Sequence, residues 1–188
     1  TLYQNIADAE ISAGEAASFI ISQMKAYQVE ANDATSILDK VNEVSNNFAV
    51  SSTDIASALT KQSASLAAYG NSLNESIALV TSGTEIMTGQ AGKVARGLRT
   101  IGANITQLAQ GAKEFEIQVG GATRTIKLWN DTGTDMLNTY QVLEQISDAW
   151  DDMTNAEKSS LAITLAKKTQ MDTFLAVMGN FESAERAY

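Results

Sequence analysis

Ile37, Val41, Val44 and Phe48 fall at i, i+4, i+7 and i+11, so one face of a helix through them is apolar along its length. Such a stripe needs a partner helix to cover it. The spacing returns in Ile55, Leu59, Gln62, Leu66 and Tyr69, with one polar interruption at Gln62, and again in Val94, Leu98, Ile101, Ile105 and Leu108. Several helices of this heptad kind in one chain can cover one another. At 44% hydrophobic, the 188 residues suffice for a real core, which argues against disorder throughout.

The punctuation between the stripes is equally regular. Asn32 or Asp33 is placed to cap the Ile37 helix, Ser51 and Asp54 have capping-box spacing before Ile55, and Gly70 ends that second helix. Ser72 and Glu75 form another box before Ile77, Leu79 and Val80, and this short helix is expected to stop near Gly83. Residues 84–92 then read as a loop. Gly97 and Gly102 lie inside the Val94 helix, where each costs about 1 kcal/mol relative to alanine, so close helix packing is the expected reason for them. Upstream, residues 1 to 30 are rich in alanine, with Ile6, Ile20, Ile21, Met24 and Tyr27 at loosely helical spacing.

Between residues 114 and 129 the period changes from 3.6 to 2. Phe115, Ile117 and Val119 alternate with Glu116 and Gln118, and Thr123 to Trp129 is rich in strand formers, with Gly120-Gly121 between the runs as a hairpin turn. A two-stranded hairpin is marginal alone and must lean on the helices. Asn130 to Gly133 forms a turn, and Thr134 is placed to cap a helix carrying Tyr140, Leu143, Ile146, Trp150 and Met153 on one face. Thr154 and Glu157 give a third box, opening a helix with Leu161 and Leu165, and a last helix is expected over 170–188. The fold class is therefore mainly α, an antiparallel multi-helix array with one small β-hairpin. Its expected divisions are a helical region at 1–110, hairpin and turn at 111–135, and C-terminal helices at 136–188. The chain opens at Thr1 without an initiator Met, and the run Phe174, Val177, Phe181, Ala184, Tyr188 continues to its last residue, so we expect a segment of something longer.

Composition narrows the function classes. With no Cys and no His, the disulfide framework, thiolate nucleophile, imidazole base and commonest zinc ligands are all missing. A formal net charge of -9 disfavours general affinity for nucleic-acid phosphates or anionic lipid, which need clustered Lys and Arg. No stretch approaches the roughly 20 apolar residues that cross a bilayer. Soluble protein partners are expected, with no small-molecule substrate, cofactor, metal or catalytic residue.

The sharpest chemical motif is Asp131-Thr132-Gly133, the tripeptide that aspartic proteases place beside their catalytic water. That chemistry needs two carboxylates sharing a proton in a buried β framework, and here one copy follows a short hairpin, so the expectation is a plain turn and helix cap. Asp148, Asp151 and Asp152, with Glu144 one turn earlier, form an acidic cluster without the glycine of a calcium loop, expected to be a solvated face. Lys93, Arg96 and Arg99 make a small basic patch, and Arg124 and Lys127 are expected to project together from the second strand. Solvated surface charge is the expectation for both.

Residues 31–108 resemble the core region of phage tail tape measure proteins. The resemblance is carried by NEVSN at 42–46, STDIASAL at 52–59, GNSLNESIALV at 70–80 and AGKVARGLRTI at 91–101. A small strand pair with its turn, followed by VLEQISDAW at 142–150, extends it over nearly the whole chain. Members are long helical proteins that occupy the lumen of the growing tail tube, set its length and leave through it at infection. The resemblance thus implies a structural component of a virion tail, present in the bacterial host cytoplasm during assembly. Implied partners are other tape measure copies, tail tube subunits and tail-tip proteins. The family has no catalytic residues in this region to carry over, although other segments of some members are cell-wall hydrolases. One departure stands at AKKTQM, 166–171, where related sequences often carry a small-residue pair with Gly and this chain has Lys167-Lys168. A bacterial helical interaction or secretion-substrate module without a viral role is the alternative.

Overall fold

The computed structural model describes residues 13–188, and the expected contact of Ile6 lies outside them. Helices α1 (Ala13–Tyr27), α2 (Ala34–Asn47), α3 (Ser52–Ala68), α4 (Leu73–Ile86) and α5 (Ala91–Gly111) come first. A hairpin of β1 (Glu114–Val119) and β2 (Ala122–Lys127) follows, and then α6 (Thr139–Trp150), α7 (Asn155–Ala166), α8 (Met171–Gly179) and α9 (Phe181–Ala187). This is the mainly α array with one small hairpin that the periodicities predict.

The array is organised around α4. Its side chains are buried almost without interruption from Leu73 to Thr84, and it packs against α3, α5, α8 and α9. A helix buried on every face can carry hydroxyls only where each finds a partner in place of water. Here Ser76, Thr81, Ser82 and Thr84 donate to carbonyls of their own helix, Thr81 Oγ1 to Ile77 O at 2.8 Å and Thr84 Oγ1 to Val80 O at 2.6 Å among them. Beside α4, α5 turns Val94, Leu98, Ile101 and Ile105 into the core, while Leu108 is half-buried. The α2 stripe is buried at Ile37, Val41 and Val44 and half-buried at Phe48.

The glycines inside α5 are there for packing. A Cβ on Gly97 would lie 2.4 Å from Thr173 Cβ, and one on Gly102 would lie 2.4 Å from the Tyr69 ring. Gly83 belongs with them, and this corrects the expected helix end. A Cβ there would come within 2.8 Å of Val94 Cγ1, so the residue admits α5 against α4 instead of stopping α4. The helix runs on to Ile86, and the expected loop of 84–92 contracts to residues 87–90.

Two other boundaries differ. Thr134 caps nothing: its amide donates to Asn130 Oδ1 at 3.0 Å and its hydroxyl to Asp135 Oδ2 at 2.7 Å, which holds it in the preceding turn. The cap of α6 is Asn138, whose side chain accepts from the Gln141 amide in a reciprocal box. The last helix is two, because Asn180 breaks it and sends its side-chain amide to Ser82 O at 3.1 Å and Glu85 Oε2 at 2.9 Å. The Ser72–Glu75 and Thr154–Glu157 boxes both form, and Ser51 caps α3. Asp33 sits at the N-cap of α2 without a side-chain bond.

Lys167 ends α7 with φ 58° and ψ 167°, a backbone region open essentially to glycine alone. The departure at AKKTQM therefore coincides with a strained residue. Lys167→Gly is expected to raise stability by about 1 kcal/mol, read from urea unfolding, whereas an unchanged or lower midpoint would contradict the strain.

Candidate functional site

Asp131 sits on the turn after β2, 85% exposed at its side chain, with Lys127 Nζ at 2.6 Å. That neighbour, by hydrogen bond and by charge, holds the carboxyl below its usual range. Gly133 N donates to Asn130 O at 2.9 Å, and Asn130 Oδ1 accepts from the amides of Thr134 and Asp135. The tripeptide is thus an exposed Asn-led turn.

Charge is segregated elsewhere. Asp148 and Asp151 line a cleft of about 350 Å³ with Glu182 and Glu185, so the acidic cluster joins the end of α6 to α9 across space. Burial, together with the neighbouring Glu185 and Asp148, raises the carboxyl of Glu144 above its ordinary range. No three carboxylates come within metal-holding reach among the described residues. On α5, Arg96 and Arg99 are exposed, while Lys93 pairs with Asp172 at 2.7 Å. Arg124 and Lys127 do not project together. Residues three apart on a strand point to opposite faces, so Arg124 reaches Asp148 at 3.4 Å and Lys127 turns to Asp131.

Two polar junctions hold these surfaces in place. In the first, buried Glu75 accepts from Ser72 N at 2.6 Å and from Asn138 Nδ2 at 2.9 Å, and Asn71 Oδ1 accepts from Tyr140 N at 3.0 Å. The end of α3 and the starts of α4 and α6 are thereby tied together. The boxes at Ser72 and at Asn138 with Gln141 are local and legible in sequence; the ties of Asn138 to Glu75 and of Asn71 to Tyr140 are not, because those partners lie more than sixty residues away.

The second junction clasps the hairpin. Val119 pairs with Ala122 across a two-residue turn whose glycines both have positive φ, 57° at Gly120 and 83° at Gly121. Glu157 accepts from both turn amides, at 3.2 and 3.1 Å, while its Oε2 also caps α7 through Thr154 N at 2.7 Å. On the outer edge of β2, Gln145 exchanges two hydrogen bonds with the Lys127 backbone, at 2.9 and 3.0 Å. The backbone donors of Thr154 and Gly121 pull the Glu157 carboxyl from its usual 4.5 down to about 2. A lowered folded pKa contributes stability above the unfolded value and loses it as pH falls through the folded one. Glu157→Gln should therefore lower the thermal midpoint at pH 7, and the gap from the parent chain should close between about pH 4.5 and pH 2. A gap unchanged at the acid end would show that the charge does not hold the turn.

These features brace a helical body that carries charged faces on its surface. No helix among the described residues is long and apolar enough to cross a membrane. A family model described as phage-related minor tail protein matches residues 3–167. No solved structure matches the chain.

Proposed function

The chain belongs to the phage-related minor tail protein family, and from that premise we propose that it is a segment of a tail tape measure protein that acts without catalysing a reaction. The observation that carries this reading is family membership over a body built from successive amphipathic helices. A ruler needs a fixed conversion of residue count into length, and helical rise supplies one at about 1.5 Å per residue. Its site of action is the lumen of the tail tube, and its partners are other copies, the tube subunits and tail-tip proteins.

The folded body has a diameter of roughly 40 Å by the usual size scaling, whereas 188 residues of continuous helix span about 280 Å. Templating calls for the longer form. In the proposed mechanism the segment folds back on itself before assembly and opens along its helix stripes in the tube, where parallel copies cover those stripes in place of intramolecular partners.

Location is tested by photocrosslinking. A photoreactive residue at exposed Arg99, in the full-length protein within assembled tails, should crosslink to the tube subunit or to another copy. Absence of the protein from purified tails, or crosslinks to host proteins alone, would contradict the proposal.

A further inference from the structure

The hairpin has one closed edge and one open edge. On the β2 side Gln145 occupies the backbone of Lys127, as described above. On the β1 side the register decides which groups are free. Val119 and Ala122 close a two-residue turn, so Val119, Ile117 and Phe115 direct their backbone bonds to β2, and Leu128 N donates to Lys113 O at 2.8 Å in the same phase. Glu114, Glu116 and Gln118 consequently turn their N–H and C=O groups outward. No loop backbone pairs with them among the described residues.

A cleft of about 340 Å³ runs along this open edge, between β1 and α7. Phe115, Ile117, Met153 and Leu161 give it an apolar lining, and the charged residues in that lining are Glu116 and Glu157, with no Lys or Arg. Open backbone, an apolar trough and acidic side chains thus coincide on one strand. An exposed strand edge is a template for pairing, and natural chains keep such edges only when they are blunted or used.

We infer that β1 receives an extended segment of a partner protein, in which basic and apolar residues alternate, as a third strand. Main-chain hydrogen bonds to Glu114, Glu116 and Gln118 supply affinity, and the alternation supplies specificity. On the added strand, side chains on the inner face enter the trough beside Phe115 and Ile117. Those on the outer face stand beside Glu114 and Glu116, where Lys or Arg completes a cross-strand pair. A second copy offering its own β1 would set glutamates against glutamates, which disfavours that occupant. The inference rests on the hairpin and not on the length-setting role.

The test uses the chain with three fluorescein-labelled peptides: alternating Arg-Val, its Glu-Val counterpart, and an isomer with the arginines and valines in separate blocks. At physiological salt the alternating basic peptide should bind about tenfold more tightly than either other. Glu116→Pro removes an outward N–H that β2 does not use, and should weaken this binding about tenfold while far-ultraviolet circular dichroism stays unchanged. Should that variant fail to fold, N-methylation of every second peptide residue, on the bonding edge, should abolish binding to the unaltered chain. Equal binding of the block isomer, binding unaffected by Glu116→Pro or by N-methylation, or no binding at all would each overturn the inference. So would dimerisation of the chain that Glu116→Pro removes, since the occupant would then be a second copy.

Discussion

Ile101→Ala is expected to cost about 2–5 kcal/mol of unfolding free energy. Ile101 is fully buried, one of four large aliphatic residues, with Val94, Leu98 and Ile105, that α5 buries against the helices around it. Truncation removes apolar contact and leaves a cavity that well-packed neighbours cannot close, so transfer and cavity terms add. Urea unfolding of parent and variant measures the difference. A loss below about 0.5 kcal/mol would mean that the stripe faces solvent instead of a core.

Gly97→Ala is expected to be destabilising by about 2 kcal/mol, although alanine is the better helix former by about 1 kcal/mol. The new methyl would lie 2.4 Å from both Cβ and Cγ2 of Thr173, which is buried on α8 and stands too close to its own backbone to move aside. Overpacking therefore outweighs propensity. Gly111, at the end of the same helix, has nothing within 4 Å of where a methyl would sit, so Gly111→Ala should be neutral or stabilising. A double-mutant cycle with Thr173→Ala should recover part of the Gly97→Ala loss. Equal effects at Gly97 and Gly111 would refute close α5–α8 approach.

These glycines also show where sequence reasoning reaches its limit. Periodicity and capping are local, and the stripes of α2, α3 and α5, the hairpin and the boxes at Ser72 and Thr154 are readable from neighbours a few residues apart. What a glycine does is not local. Gly70 has φ 82° and ends its helix, whereas Gly83 makes room for Val94 and Val177, and only the fold distinguishes the two. Likewise Asn180 breaks the last helix because α4 offers Ser82 O and Glu85 to its amide, partners almost a hundred residues earlier. The charged surfaces divide in the same way. The cluster at Asp148 is visible along the chain, but its union with Glu185 and the clasp of Glu157 on the hairpin turn depend on elements meeting in space. Arg124 and Lys127 were separable in principle, since strand parity alone puts them on opposite faces.

The most direct measurement is the length of tails assembled after in-frame deletion of residues 1–188 from the full-length gene, taken by electron microscopy. An extended segment requires tails shorter by about 280 Å, the span of these residues as continuous helix. Shortening near 40 Å would mean that the segment stays compact in the tube, contradicting its extension. Tails of unchanged length would contradict the ruler role itself.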